Sequence, residues 1–176
     1  MLFLMLILPH PGAEWSKFGE SVYAPIGSGT WAEARAACVS FGLGAHLASI
    51  HSNAENAFVS QLNPTGAAQR WIGAQLVRTA TPQRAPFNYT WTDGSSFDFS
   101  LFQANQPDDQ TGAEDCLQID QQVPSQWSDA SCTLTRPSVC KRPGVYHDVW
   151  LHLCFVWVLA GVAGLTGMCI CMLDMD

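Results

Sequence analysis

Four cysteines constrain this chain more than any other feature. Cys38, Cys116, Cys132 and Cys140 lie in a region of mixed composition, whereas Cys154, Cys169 and Cys171 lie in an apolar tail. The first four can pair completely, in any of three ways, and their even number favours an oxidising compartment. At 176 residues the chain has room for one ordinary domain and short appendages, enough to build a core that does not depend on cross-links alone. The net charge is -7, and only Lys141 and Arg142 are adjacent among the scattered basic residues. That argues against nucleic acid or an anionic membrane face as partner, since both demand clustered positive charge.

Both ends of the chain differ from its middle. Leu2 to Leu8 is a short apolar run followed by Pro9, Pro11 and Gly12-Ala13, which reads as a secretory signal over residues 1–13 although no Lys or Arg precedes the run. Val149 to Leu173 contains no Asp, Glu, Lys or Arg. As a helix this stretch would cover about 37 Å against a hydrocarbon core of about 30 Å, so residues 149–173 read as a transmembrane helix that tethers the domain to a membrane. Lys141 and Arg142 precede it and acids follow it, opposite to the positive-inside preference for an external domain. The sequon Asn88-Tyr89-Thr90 fits a glycosylating, extracellular or secreted setting.

Residues 14–143 form the domain. Thr30-Trp31-Ala32-Glu33 is a capping box that starts a helix, with Trp31, Ala34, Cys38 and Phe41 on one face and Gly42 as its stop. Ser52-Asn53-Ala54-Glu55 repeats the box, and Ala54, Phe58 and Leu62 are the expected buried stripe. Strands are expected at Leu47 to Ile50, Arg70 to Ala74, Phe87 to Trp91, Cys116 to Ile119 and Ser138 to Arg142. Helices first and strands after make an α+β domain.

The chemistry concentrates late in that domain. Asp108, Glu114 and Asp129 supply anionic oxygens, while Gln106 and Ser128 can add neutral ones, and a hard cation such as Ca2+ takes 6–8 oxygen ligands at typical sites. Enzyme readings are poorer. His46 and His51 lie five apart with no His-Glu-x-x-His helix, and Gly27-Ser28-Gly29 lacks the spacing of a nucleophile elbow.

In order along the chain, Trp31-Ala32-Glu33-Ala34, Cys38, Leu47-Ala48-Ser49-Ile50, Glu55-Asn56, Trp71-Ile72-Gly73, Trp91-Thr92-Asp93-Gly94, Gln106-Pro107-Asp108, Glu114-Asp115-Cys116, Trp127-Ser128-Asp129, Cys132 and Cys140 closely resemble the C-type lectin-like domain. The resemblance implies a double-loop α+β domain in its short form, with disulfides Cys38–Cys140 and Cys116–Cys132. By loop entropy the long closure is worth about 4–5 kcal/mol and the short one about 3. It also implies a cis bond before Pro107 and a Ca2+ held by Gln106, Asp108, Glu114, Ser128 and Asp129, with the same residues contacting the sugar. The order amide then acid at Gln106 and Asp108 is similar to galactose-type members. The implied function is calcium-dependent binding of glycans or glycoproteins.

Departures from the family pattern open a second reading. Ser128 stands where sugar-binding members have Asn, and the loop Asp109 to Ala113 lacks the aromatic residue that galactose binders stack on the sugar. An auxiliary calcium site is incomplete, because Leu76 takes an acidic position and leaves Asp109 and Asp115 alone. The alternative is a calcium-independent protein-recognition module on the same fold.

Overall fold

A computed structural model describes residues 13–62, 66–78, 87–120 and 125–144. The expected signal run before Ala13 and the apolar segment 149–173 lie outside them. Among the described residues, no helix is long and apolar enough to cross a membrane.

Among the described residues, eight strands and two helices follow the order β1 Ser16–Phe18, β2 Ser21–Gly29, α1 Trp31–Ser40, β3 His46–Leu47, α2 Asn53–Gln61, β4 Gln69–Leu76, β5 Tyr89–Trp91, β6 Cys116–Asp120, β7 Gln126–Ala130 and β8 Arg136–Pro143. The main sheet runs β1-β2-β8-β4-β6-β7, with β3 joining β8 and β5 joining β4. Among these strands the pairings are antiparallel except for β4 with β8, where Trp71 lies opposite Ser138. Antiparallel pairing of β2 with β8 sets Ala24 opposite Cys140, so the first and last long strands of the domain close it.

Both helix starts obey their sequence signals, but to different degrees. At α1 the Glu33 N–H donates to Thr30 Oγ1 and the Thr30 N–H donates to Glu33 Oε2, a complete capping box. At α2 the Glu55 N–H donates to Ser52 Oγ at 3.1 Å, yet the Glu55 carboxylate does not return the bond. It accepts instead from the His51 N–H, the Tyr23 hydroxyl and Lys141 Nζ. The expected stripe of Ala54, Phe58 and Leu62 is corrected in part: Phe58 and Leu62 are half-buried against the core, but Ala54 is exposed, and Glu55, Asn56 and Val59 are the buried residues of α2. A buried carboxylate with three donors is satisfied, which is how a charged residue can face inward.

Three strands were absent from the sequence expectation, and two of them, β1 and β2, precede α1. Pro25 disguises β2, but it lies beyond the stretch that β1 covers, where an open edge tolerates a missing N–H. The third, β7, is nearly all buried despite its polar sequence Gln-Trp-Ser-Asp-Ala.

Two hydrophobic clusters flank the sheet. One gathers Ile50, Val59, Ile72, Leu117, Ile119 and Trp127 with flanking phenylalanines, and the other packs Trp31, Leu47 and Trp71 around the cysteines. Cys38–Cys140 ties α1 to β8 and Cys116–Cys132 ties the start of β6 to the turn after β7, both as the resemblance implied. Gly73 lets the chain cross itself: a Cβ there would stand 2.4 Å from the Leu47 carbonyl oxygen.

Candidate functional site

Strand β7 is the platform for the acidic residues. Its Trp127 ring sits among Trp91, Phe97, Phe99 and Phe102. The indole Nε1 donates to Asn56 Oδ1 at 2.8 Å, and Asn56 Nδ2 donates to the Ser125 carbonyl at 2.7 Å. Helix α2 thus fixes β7 in register. The loop before β6 is laid along the other edge of β7, where the Trp127 N–H donates to the Leu101 carbonyl and the Gln103 N–H to the Trp127 carbonyl.

From Gln103 the loop turns into the site. The Gln106–Pro107 peptide is cis. Gln106 Oε1 accepts the Asp129 N–H at 3.3 Å, and the Asp129 carboxylate accepts the N–H groups of Asp108 at 3.2 Å and Asp109 at 2.8 Å. The Gln110 N–H donates to Glu114 Oε2 and the Glu114 N–H to Asp109 Oδ1, each at 3.0 Å. The result is that one oxygen from each of Asp108, Glu114 and Asp129 lies within 4.8 Å of the others.

Three carboxylates this close resist ionising together. Burial raises the Glu114 carboxyl above the ordinary range, and the neighbouring Asp129 and Asp108 push it the same way. Burial likewise raises Asp129, against the pull of the two backbone N–H groups it accepts. An arrangement of hard anionic oxygens with an adjacent amide oxygen, in which the charged forms of Glu114 and Asp129 are disfavoured while alone, fits a hard divalent cation.

Ser128 is engaged differently. Buried on β7 opposite Gln118, its hydroxyl accepts Gln118 Nε2 at 2.9 Å. Successive strand residues face opposite sides of a sheet, so the pleat that presents Asp129 with Leu117 pairs Ser128 with Gln118. Of the five expected ligands, the described contacts join Gln106, Asp108, Glu114 and Asp129, and give Ser128 a partner inside the sheet.

One contributor escaped the sequence reading. The Arg78 guanidinium, beyond the end of β4, pairs with Asp109 at 2.8 Å and Asp115 at 2.5 Å. It holds the Asp109 carboxyl below its ordinary range. These are the two acids left by the incomplete auxiliary site, and Leu76 beside them is buried in the core. No spacing signal links Arg78 to residues more than thirty positions away.

A second polar cluster has the outline of a hydrolase relay. His51 Nδ1 lies 2.7 Å from Asp98 Oδ1, and Ser95 Oγ lies 3.2 Å from His51 Nε2. The Ser95 hydroxyl, however, donates to Asp93 Oδ1 at 2.6 Å. In this arrangement its proton lies on a carboxylate rather than on the imidazole, unlike the activated nucleophile of a relay.

Comparison with known proteins agrees with the fold. The Lectin C-type domain profile matches residues 27–142. A type-2 ice-structuring protein of Osmerus mordax is 40% identical over 113 residues, which is 64% of this chain and 59% of that protein. The match thus spans less than two thirds of that relative's length. A C-type lectin galactose-binding isoform of Pseudechis australis is 35% identical over 116 residues, covering 64% of this chain and 70% of its own. Among solved structures, the C-type lectin CEL-I of Cucumaria echinata has a TM-score of 0.63 at 29% identity, covering 72% of this chain and 93% of its own. A calcium-independent type II antifreeze protein has a TM-score of 0.61 at 27% identity, covering 76% of this chain and 98% of its own.

Proposed function

The chain belongs to the C-type lectin domain family, and on that premise we propose that it binds carbohydrate through one Ca2+ held by Gln106, Asp108, Glu114 and Asp129. The observation that carries this reading is the approach of three carboxylate oxygens to within 4.8 Å of one another beside the Gln106 amide. When bound, the ion supplies a Lewis-acidic centre that accepts sugar hydroxyl oxygens in place of water. The carboxylates of Asp108 and Glu114 accept hydroxyl hydrogens, and the Gln106 amide offers N–H donors. Asp129 is spent on the loop backbone and anchors the set. Ser128 joins it only by giving up Gln118, so its share is small.

The amide-then-acid order at Gln106 and Asp108 favours a galactose-type ligand, and the galactose-binding relative supports that class. The residue 1–13 signal, the 149–173 tether and an external location are proposed with this function. Both disulfides suit that compartment. Asn88 and Thr90 are exposed, leaving the sequon open to a glycan.

The deciding experiment is calcium titration of the disulfide-bonded full chain, followed by thermal melting with and without excess galactose or mannose. A ligand that binds only the native state raises stability by mass action. A shift with calcium that galactose increases further supports the lectin reading, and no shift with calcium rejects it.

A second reading has its own support: the 40% identity to an ice-structuring protein and the fold shared with a calcium-independent antifreeze protein. With no aromatic in the 109–113 loop and Ser at 128, the same surface would then recognise something other than sugar, either ice or a protein partner. Thermal hysteresis of the purified chain, measured with calcium and with chelator, separates ice recognition from both alternatives.

A further inference from the structure

Arg78 contributes no ligand, yet it grips the loop that carries the ligands. Nη1 and Nη2 donate to the two carboxylate oxygens of Asp109 at 2.8 and 3.0 Å, and Nε donates to Asp115 Oδ1 at 2.6 Å. Asp109 is the hub of the turn. Its Oδ1 accepts the Glu114 N–H at 3.0 Å, its carbonyl accepts the Gly112 N–H at 2.8 Å, and its own N–H donates to Asp129 at 2.8 Å. The backbone of Asp109 has φ 44, in the left-handed region that disfavours a residue with a Cβ. Such a conformation persists where its surroundings enforce it. A planar guanidinium that meets both carboxylate oxygens at once supplies that enforcement, and a lysine ammonium cannot reproduce the fork.

We propose that Arg78 is a positioning residue for the cation site: by clamping Asp109 it fixes the 109–114 turn, so that Glu114 and Asp108 stand beside Asp129 before any ion arrives. This rests on the reading of those acids as a calcium site and names what pre-forms it. A loop ordered in advance lowers the cost of binding. Simple Coulomb interaction predicts the opposite sign, because removing a positive charge near a cation site should strengthen cation binding. The direction of the effect therefore separates the two explanations.

The test compares the full chain with Arg78→Lys and Arg78→Ala. Amide hydrogen exchange in chelator reads Asp109, Gln110, Gly112 and Glu114 against Leu117 and Ile119, and calorimetry then reads calcium affinity. Arg78→Ala should speed exchange at the turn about tenfold and weaken calcium about tenfold, as expected for loss of a charge-assisted bidentate bond. The strand amides should stay unchanged, showing that the variant folds. Arg78→Lys should fall between on both readouts. Unchanged exchange at the turn, equal or tighter calcium binding by Arg78→Ala, or full rescue by lysine each overturns the clamp. If the unaltered chain shows no response to calcium, the calcium reading fails by itself, and the exchange measurement alone decides whether Arg78 holds the turn.

Discussion

The backbone N–H of Asp109 donates to Asp129 Oδ2 at 2.8 Å across 20 residues of sequence. One carboxylate thereby joins strand β7 to the loop, and the same carboxylate faces Asp108 and Glu114. Asp129→Asn keeps one acceptor for the loop while removing the charge that burial disfavours. Calcium affinity should fall more than about a hundredfold, since ligand charge count sets affinity at such sites, while the metal-free variant still folds cooperatively with one loop hydrogen bond lost. A calcium-induced melting shift that survives in Asp129→Asn would place the ion elsewhere.

Acid should release calcium early. Glu114 and Asp129 are both raised above the ordinary carboxylate range in the ion-free protein, so protons compete with calcium at a higher pH than they would at ordinary carboxylates. A raised carboxylate contributes stability below its unfolded pKa and loses it as pH rises through the folded value. The metal-free protein thus loses their contribution on going from acid to neutral pH. Asp109, lowered by Arg78, has the opposite sign: its contribution is present above its unfolded pKa and lost as pH falls through its folded pKa. Melting curves with calcium and with chelator should diverge as pH rises. Parallel curves across that range would rule out both acids as ligands.

Ser128→Ala leaves Gln118 Nε2 without its acceptor inside the sheet. The expected cost is about 1–2 kcal/mol of stability, in the range for a buried polar group left unpaired, with calcium affinity unchanged. Denaturant unfolding and calcium calorimetry on one preparation give both values. Weaker calcium binding at unchanged stability would restore Ser128 to the ligand set.

Asn56→Ala removes the acceptor of Trp127 Nε1 and the donor to the Ser125 carbonyl. A loss of about 2–3 kcal/mol follows from two bonds at a buried side chain. Calcium affinity should weaken as well, because β7 carries Asp129. Stability lost with affinity intact would show that α2 does not govern the register of the site.

Gly73→Ala drives a Cβ to 2.4 Å from the Leu47 carbonyl oxygen. Backbone cannot move aside as a side chain can, so a cost of about 3 kcal/mol is expected. A melting temperature equal to that of the unaltered chain would show that β3 and β4 are not held at this spacing.

Local signals determined much of this protein in advance. Two capping motifs start two helices where Thr30 and Ser52 said they would, because a helix terminus is satisfied by residues within one turn. Ordered motifs identified the family, its disulfide pairing and the loop with its cis proline. What the sequence did not display lies between distant residues. Glu55 faces inward because Tyr23, His51 and Lys141 arrive from three other segments. The polar strand β7 is buried because Asn56 and a ring of aromatic side chains enclose Trp127. Ser128 meets Gln118 because of a register, and Arg78 reaches Asp109 because of the path the chain takes after β4. Hydrogen bonds and charges act over a few ångströms in space, so only the tertiary structure decides which acids have partners.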